Sequence, residues 1–245
     1  MRTTVDIVIP AYNEEKQLPR SILILHNFLK QHLTNPWSIV IVDNGSSDQT
    51  LSVAEMLSNK YSGVTYIHIP QKGRGRALRH AWLESKADIV SYMDVDLSTN
   101  LVHLPKLVEA IEEGSTIAVG SRLTNGSRVK RSLKREIISR AYNLLIRSLF
   151  RTRFHDAQCG FKALSRSTAR IILPLVQNNE WFFDSELLII AAKSGLEIRE
   201  IPVDWVEDPD SRVRILSTAW EDIKGLLRLR FCGIPAVRPS DPKRN

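Results

Sequence analysis

Short apolar runs alternate along the first half of the chain with longer stretches in which apolar side chains recur every three or four positions. Val5-Asp6-Ile7-Val8-Ile9 reads as a strand that Pro10 closes, and Pro19 suits the first turn of a helix reaching about Leu33. Ser38 to Val42 reads as a second strand, and Ser46 or Ser47 is placed to cap a helix from Gln49 to Lys60. Val64–Ile69, a helix from Arg76 to Ser85, a strand ending on Met93, a helix from His103 to Glu113 and a strand from Thr116 to Val119 continue the alternation. Near-continuous apolar strands separated by helices predict an α/β fold, a mostly parallel sheet with helices on both faces.

In such a sheet, ligands bind beyond the carboxyl ends of the strands. Those ends carry Tyr12 and Glu14, Asp43, the Gly73–Arg76 turn, Asp94 with Asp96, and Gly120-Ser121-Arg122. One polar loop is ordinary; a whole rim of them predicts a site. Asp94 and Asp96 are one residue apart at the end of an apolar run. On a strand they would share a face, with Val95 turned into the fold. Two adjacent carboxylates repel unless a cation sits between them, and a divalent cation shared with a phosphate ligand is the usual solution. The competing reading is a polar strand end with two solvated acids.

Composition narrows the class. Of the 245 residues 43% are hydrophobic and 25% charged, which suits a folded core and argues against disorder. The net charge of +7 calls for an anionic partner: nucleic acid, an anionic membrane surface or a phosphorylated ligand. Two cysteines make no disulfide framework, and no apolar window is long enough to span a bilayer. Arg122 to Arg153 holds ten basic residues against one acid, Glu136. Within it Leu133, Ile137, Ile138, Ala141, Leu144, Leu145 and Leu149 form one broad helical face, opposed by Arg140, Arg147, Glu136 and Asn143. A basic amphipathic helix reads either as an anchor on anionic lipid or as a core helix with a solvated basic face. Ile215–Phe231 repeats the pattern. Aromatics do not interleave with the basic residues as a single-strand platform requires, so nucleic acid is not expected.

Val8-Ile9-Pro10-Ala11-Tyr12-Asn13-Glu14-Glu15, Val42-Asp43-Asn44-Gly45-Ser46-Ser47-Asp48, Gly73-Arg74-Gly75-Arg76-Ala77, Asp94-Val95-Asp96-Leu97-Ser98-Thr99 and Gly120-Ser121-Arg122, in this order, resemble the family 2 inverting glycosyltransferases of GT-A fold. The resemblance covers roughly residues 4 to 215. It is nearest to the dolichyl- and polyprenyl-phosphate sugar synthases. Asp156, Gln158-Cys159-Gly160-Phe161-Lys162 and Trp181-Phe182-Phe183-Asp184 look like the glucosyl branch rather than the mannosyl one. Two departures stand out: Asn44 replaces a second acid after Asp43, and Arg74 stands where the family usually has Lys.

The resemblance implies a nucleotide-sugar site built from Pro10, Tyr12, Glu14, Asp43, Gly73, Arg74, Asp94, Val95 and Asp96. It implies Mg²⁺ or Mn²⁺ on Asp94 and Asp96, with Ser98 a weaker ligand. A phosphate monoester acceptor is mostly dianionic at neutral pH and needs cations rather than a base; Arg122, Arg135 and Arg212 are the candidates. If the acceptor were a sugar hydroxyl, Asp184, and less so Asp156 or Glu186, would be the base, while Asp184 could instead cap the helix after it. The expectation is therefore a GT-A domain over 1–215, including the helix near 132–150, and an amphipathic segment with a polar tail over 216–245. It would be peripheral on the cytoplasmic membrane face and move a hexose, UDP-linked by preference, to polyprenyl phosphate, with a membrane-protein partner possible. The alternatives are GDP-mannose or a UDP-N-acetylhexosamine as donor, a hydroxyl acceptor, or a nucleotide-sugar binder without turnover.

Overall fold

The computed structural model describes residues 2–207 and 215–237; for residues 215–218 it describes the backbone alone. Arg212 and the polar tail beyond residue 237 lie outside the described residues. The strands are β1 (Val5–Ala11), β2 (Trp37–Asn44), β3 (Val64–Ile69), β4 (Ile89–Met93), β5 (Ile117–Ser121), β6 (Arg128–Lys130), β7 (Phe161–Ser165), β8 (Ile198–Pro202) and β9 (Asp204–Val206). The helices are α1 (Leu18–His32), α2 (Thr50–Lys60), α3 (Arg74–Glu84), α4 (Leu104–Glu112), α5 (Leu133–Phe150), α6 (Arg166–Ile172), α7 (Phe183–Lys193) and α8 (Ile215–Phe231).

Seven strands form one sheet in the order β3-β2-β1-β4-β7-β5-β8. All pairs are parallel except those of β7, which runs antiparallel to both β4 and β5. Alternating residues feed two cores. Val8, Val40, Val42, Val90 and Tyr92 pack with α3 and α7. Ile7, Ile9, Ile39, Ile41 and Ile89 pack with α1 and α4 on the other face. That period of two is why these runs are strands buried on both sides.

Three local expectations need correction. Pro10 does not end β1; it sits inside it, opposite Val42, and the strand runs on to Ala11. α2 is not started by Ser46 or Ser47. Asp48 Oδ1 accepts from Thr50 N at 2.9 Å, while both serines lace to Asn13 across the neighbouring loop. Asn143 does not lie on the solvent side of α5. Ser139, Asn143, Ile146 and Phe150 are its buried stripe, and Asn143 Oδ1 caps the Ala157 N–H at 2.8 Å. The broad apolar face points outward, with Leu133, Ile137 and Leu144 75%, 59% and 63% exposed.

A second, two-stranded sheet pairs β6 with β9. Thr99 bridges to Trp205, Asn100 N donates to Asp204 O, and Val206 N donates to Ser98 O. The loop after Asp96 is thus stitched to β9, β9 to β6, and β6 leads into α5. α8 lies on the same core: Leu226 and Leu229 are buried, and a Cβ at Gly225 would fall 2.3 Å from the Phe182 ring. Among the described residues no helix is long and apolar enough to cross a membrane.

Candidate active site

An open groove of about 1820 Å³ runs along the carboxyl ends of the strands. Pro10, Tyr12, Glu14, Asn44 and Lys72 line one end, Asp94 to Ser98 the middle, and Arg122, Arg131, Arg135 and Ile138 the other. The acids and the arginine-rich segment therefore share one cavity.

β4 stops at Met93, so Asp94 and Asp96 are not paired by strand alternation as the sequence suggests. They flank a tight turn in which Leu97 N donates to Asp94 O at 3.1 Å. Leu97 takes φ +52°, a left-handed conformation that costs a γ-branched residue about 1 kcal/mol. Asp96 Oδ1 is fixed by the Ser98 N–H at 2.9 Å. Gly160 makes room for the other acid, since a Cβ there would lie 1.7 Å from Asp94 Oδ2. Ser98 Oγ is buried and without a hydrogen-bond partner among the described residues. It opens, with both acids, Thr99 and Gly160, into a small polar hollow. Two carboxylates and an orphaned hydroxyl around a hollow suit a hard divalent cation whose remaining ligands are phosphate and water oxygens.

Asp94 joins a four-charge cluster whose other three members, Arg74, Lys162 and Asp184, are buried. Arg74 donates from Nη2 to Asp94 Oδ1 at 2.7 Å and from Nη1 to Asp184 Oδ2 at 2.5 Å. Lys162, wholly buried on β7, donates to Asp184 Oδ1 at 2.7 Å and to Cys159 O at 2.6 Å. The Tyr92 hydroxyl donates to Asp184 Oδ1 and receives Arg74 Nη2. Burial would raise the Asp184 carboxyl, but Lys162 and Arg74 outweigh it and hold the group below the usual carboxylate range. Arg74 and Asp184 both line the groove, but each is engaged there: two carboxylates hold the Arg74 guanidinium, and a lysine, an arginine and a tyrosine hold the Asp184 carboxylate. Asp184 does not cap α7, where Phe182 is the flanking residue.

The start of α3 is also less open than its glycines suggest. Gly73 N donates to Asn44 Oδ1 at 3.2 Å and Arg76 N to Asn179 O at 3.0 Å, so Gly73 serves to shape the turn, with φ +148°. The exposed cation there is Lys72, whose Nζ stands 4.2 Å from the Tyr12 ring centroid. Asp43 lies deeper than its place at a strand end suggests, and its Oδ1 has no hydrogen-bond partner among the described residues. Its carboxylate is fully buried, held by His68 Nδ1 at 2.7 Å, and does not line the groove. The next residue on the strand points the opposite way, so Asn44 takes the groove position. Glu14 and Val95 do line it, and Glu14 N donates to Thr50 Oγ1.

At the basic end, Arg122 forks onto Asp156 at 2.7 and 2.9 Å and stacks toward Trp205. Burial raises the Asp156 carboxyl, yet Arg122 pulls it down to about 2. Arg131 pairs with Glu136, and Arg135 with Glu207. Glu186, the last of the base candidates, is buried and accepts from Arg228 and Asn178 N. Cys159 is a buried thiol pushed up to about 12, and His155 is turned to Glu200. Sequence reading missed Lys72, Tyr92 and Asp222, and gave Gln158 and Lys162 no role beyond their place in a motif. A lysine inside the apolar run Cys159 to Leu164 was the one available signal for the cluster.

Residues 6–172 match the model of the glycosyl transferase family 2 domain. The chain belongs to glycosyltransferase family 2. Among family 2 relatives, it is 34% identical to glycosyltransferase AglD of Haloferax volcanii over 91% of its own length and 35% of that protein's. It is 31% identical to the dolichyl-phosphate beta-glucosyltransferase of Mus musculus, covering 85% of this chain and 69% of the relative, and 29% identical to that of Saccharomyces cerevisiae, covering 98% and 78%. The chain thus spans about a third of the archaeal relative it matches and some seven-tenths or more of these two eukaryotic ones. Glucosyl-3-phosphoglycerate synthase of Mycobacterium tuberculosis, solved with UDP, shares the fold at a TM-score of 0.70 and 23% identity, over 95% of this chain and 81% of that one. The GT-A architecture expected of a family 2 enzyme is the one observed.

Proposed function

We propose that this chain transfers glucose from UDP-glucose to a polyprenyl phosphate of the dolichyl type, with inversion at the sugar's anomeric carbon. The observation that carries the reading is the groove joining the Tyr12, Glu14 and Lys72 end, the acid turn and a basic, apolar-rimmed end. Relatives named for dolichyl phosphate and glucose support the two substrates.

Asp94 and Asp96, with Ser98, would hold Mg²⁺ or Mn²⁺, whose charge, when bound, offsets that gathering on the departing nucleoside diphosphate. Tyr12 and Glu14 supply a ring face and a hydrogen-bond acceptor for the nucleoside, and Lys72 a cation beside them. Arg122, Arg131 and Arg135 line the end where the acceptor phosphate enters. Each is held in place by an acid, which fixes the guanidinium's orientation before substrate arrives. Asp184, Asp156 and Glu186 are all locked in ion pairs, which disfavours a hydroxyl acceptor that needs one of them as base. The exposed apolar residues of α5, with Trp220, Ile223, Leu227 and Phe231 of α8, would sit in the headgroup region of an anionic leaflet on the cytoplasmic side.

The test is to incubate the protein with Mn²⁺, labelled UDP-glucose, GDP-mannose and UDP-N-acetylglucosamine, and a polyprenyl phosphate. Label from UDP-glucose should become organic-soluble and mild-acid labile, and Asp94→Ala and Asp96→Ala should abolish this. Transfer from GDP-mannose alone, or none to any lipid, would overturn the reading.

A further inference from the structure

α8 returns one carboxyl to the basic end of the groove. Asp222 lines it, only 4% exposed. Gln158 Nε2 donates to its Oδ2 at 2.9 Å, and the Tyr142 hydroxyl lies against it. Among the described residues its Oδ1 is buried with no hydrogen-bond partner. Unlike Asp184, Asp156 and Glu186, it has no cation beside it among the described residues, where the charged groups facing it are Glu221 on its own helix and Asp184 on α7. An ionised carboxylate met by neutral groups alone and with anions for neighbours is costly, whereas a protonated carboxyl carries a donor for an incoming oxygen.

We infer that Asp222 binds the acceptor in its protonated form, donating a hydrogen bond from Oδ1 to a phosphate oxygen and excluding that phosphate once it ionises. The inference rests on the proposed phosphate acceptor and adds to it a positioning residue and a pH response. Burial, with Glu221 and Asp184 adding to it, pushes the carboxyl up to about 7, so the donor form is present at neutral pH and fades just above. A carboxyl with such an affinity could instead remove a proton from a hydroxyl acceptor. The two roles separate cleanly, because asparagine keeps a donor and cannot act as a base.

The experiment measures acceptor and donor KM and kcat for UDP-glucose and a short polyprenyl phosphate between pH 6 and 8.5. Wild type should show an acceptor KM that rises about tenfold per pH unit above pH 7, the dependence expected of one required proton, with donor KM unchanged. Asp222→Asn should keep kcat within about threefold and lose that rise. Asp222→Ala, with an unaltered melting temperature or a repeat at reduced temperature, should raise acceptor KM at least tenfold at pH 6.5, the size of a lost hydrogen bond to a charged group. A pH profile unchanged in Asp222→Asn, or a collapse of its kcat, would overturn this inference while leaving the lipid-phosphate transfer intact. Wild type that transfers to no polyprenyl phosphate would remove the parent reading, and this with it.

Discussion

Replacing Lys162 by methionine tests whether the cluster behind the acid turn acts as a charge-balanced unit. Arg74 and Lys162 face Asp94 and Asp184, two cations against two anions. Lys162 is wholly buried, and Asp184 is 2% exposed, so neither charge can turn to water. Lys162→Met removes one cation at little change in volume and leaves Asp184 short of a partner. Breaking a buried pair this way costs about 3–5 kcal/mol. For a domain of this size that is a fall in Tm of about 6–20 °C. Asp184→Asn should cost a similar amount by leaving the buried Lys162 charge with neutral partners alone, the Cys159 carbonyl and the Tyr92 hydroxyl among them. The double variant restores the balance, leaving Arg74 on Asp94, and should cost at least about 2 kcal/mol less than the two singles added together. Urea unfolding, comparing midpoints at constant slope, reads all three. A loss below about 1 kcal/mol for Lys162→Met, or strict additivity in the double variant, would refute the argument.

Further outcomes follow from single features. Gly160→Ala should abolish transfer and Mn²⁺ binding by calorimetry while the fold persists, because its methyl group would occupy the Asp94 carboxylate's place. Ile137→Glu with Leu144→Glu should leave melting temperature within about 2 °C, both being exposed, while sharply reducing co-sedimentation with vesicles containing anionic lipid. Asp156 is held at about 2 against an ordinary 3.8, so its ion pair stabilises the fold fully above about pH 4 and loses that contribution as pH falls toward 2. The loss is about 2 kcal/mol, and acid titration of stability should show a shallower limb in Asp156→Asn. Lys72→Ala should raise KM for UDP-glucose several-fold without changing acceptor KM, since Lys72 stands at the nucleotide end of the groove beside Tyr12.

Most strands and helices were legible because their apolar spacing is a local property. What the spacing could not carry is which neighbour each side chain meets. Asp43 and Asn44 are adjacent polar residues on a strand end, and only the position of His68 on β3 shows which of them turns inward. Arg74 looks like an open phosphate ligand until Asp184, 110 positions away, arrives beside it. On α5 only Asn143 departs from expectation, for a related reason. The inward side is partly polar: Asn143 donates to the Ser139 carbonyl, while the buried Ser139 Oγ has no hydrogen-bond partner among the described residues, and apolar spacing alone does not show that side. Asp222 did leave a trace, an acid within the apolar repeat of α8. Its meaning depends on the absence of a nearby cation, which no linear pattern reports.

The reversed strand β7 carries a consequence for biogenesis. β4, which delivers the acid turn, is bordered on one side by β1 and on the other by a segment made some seventy residues later. A growing chain that has finished β5 therefore holds two apolar strands with a gap between them, to be filled only when Phe161–Ser165 leaves the ribosome. Assembly of the catalytic centre is a late step in synthesis, and chains halted before that insertion expose adhesive edges that invite chaperones.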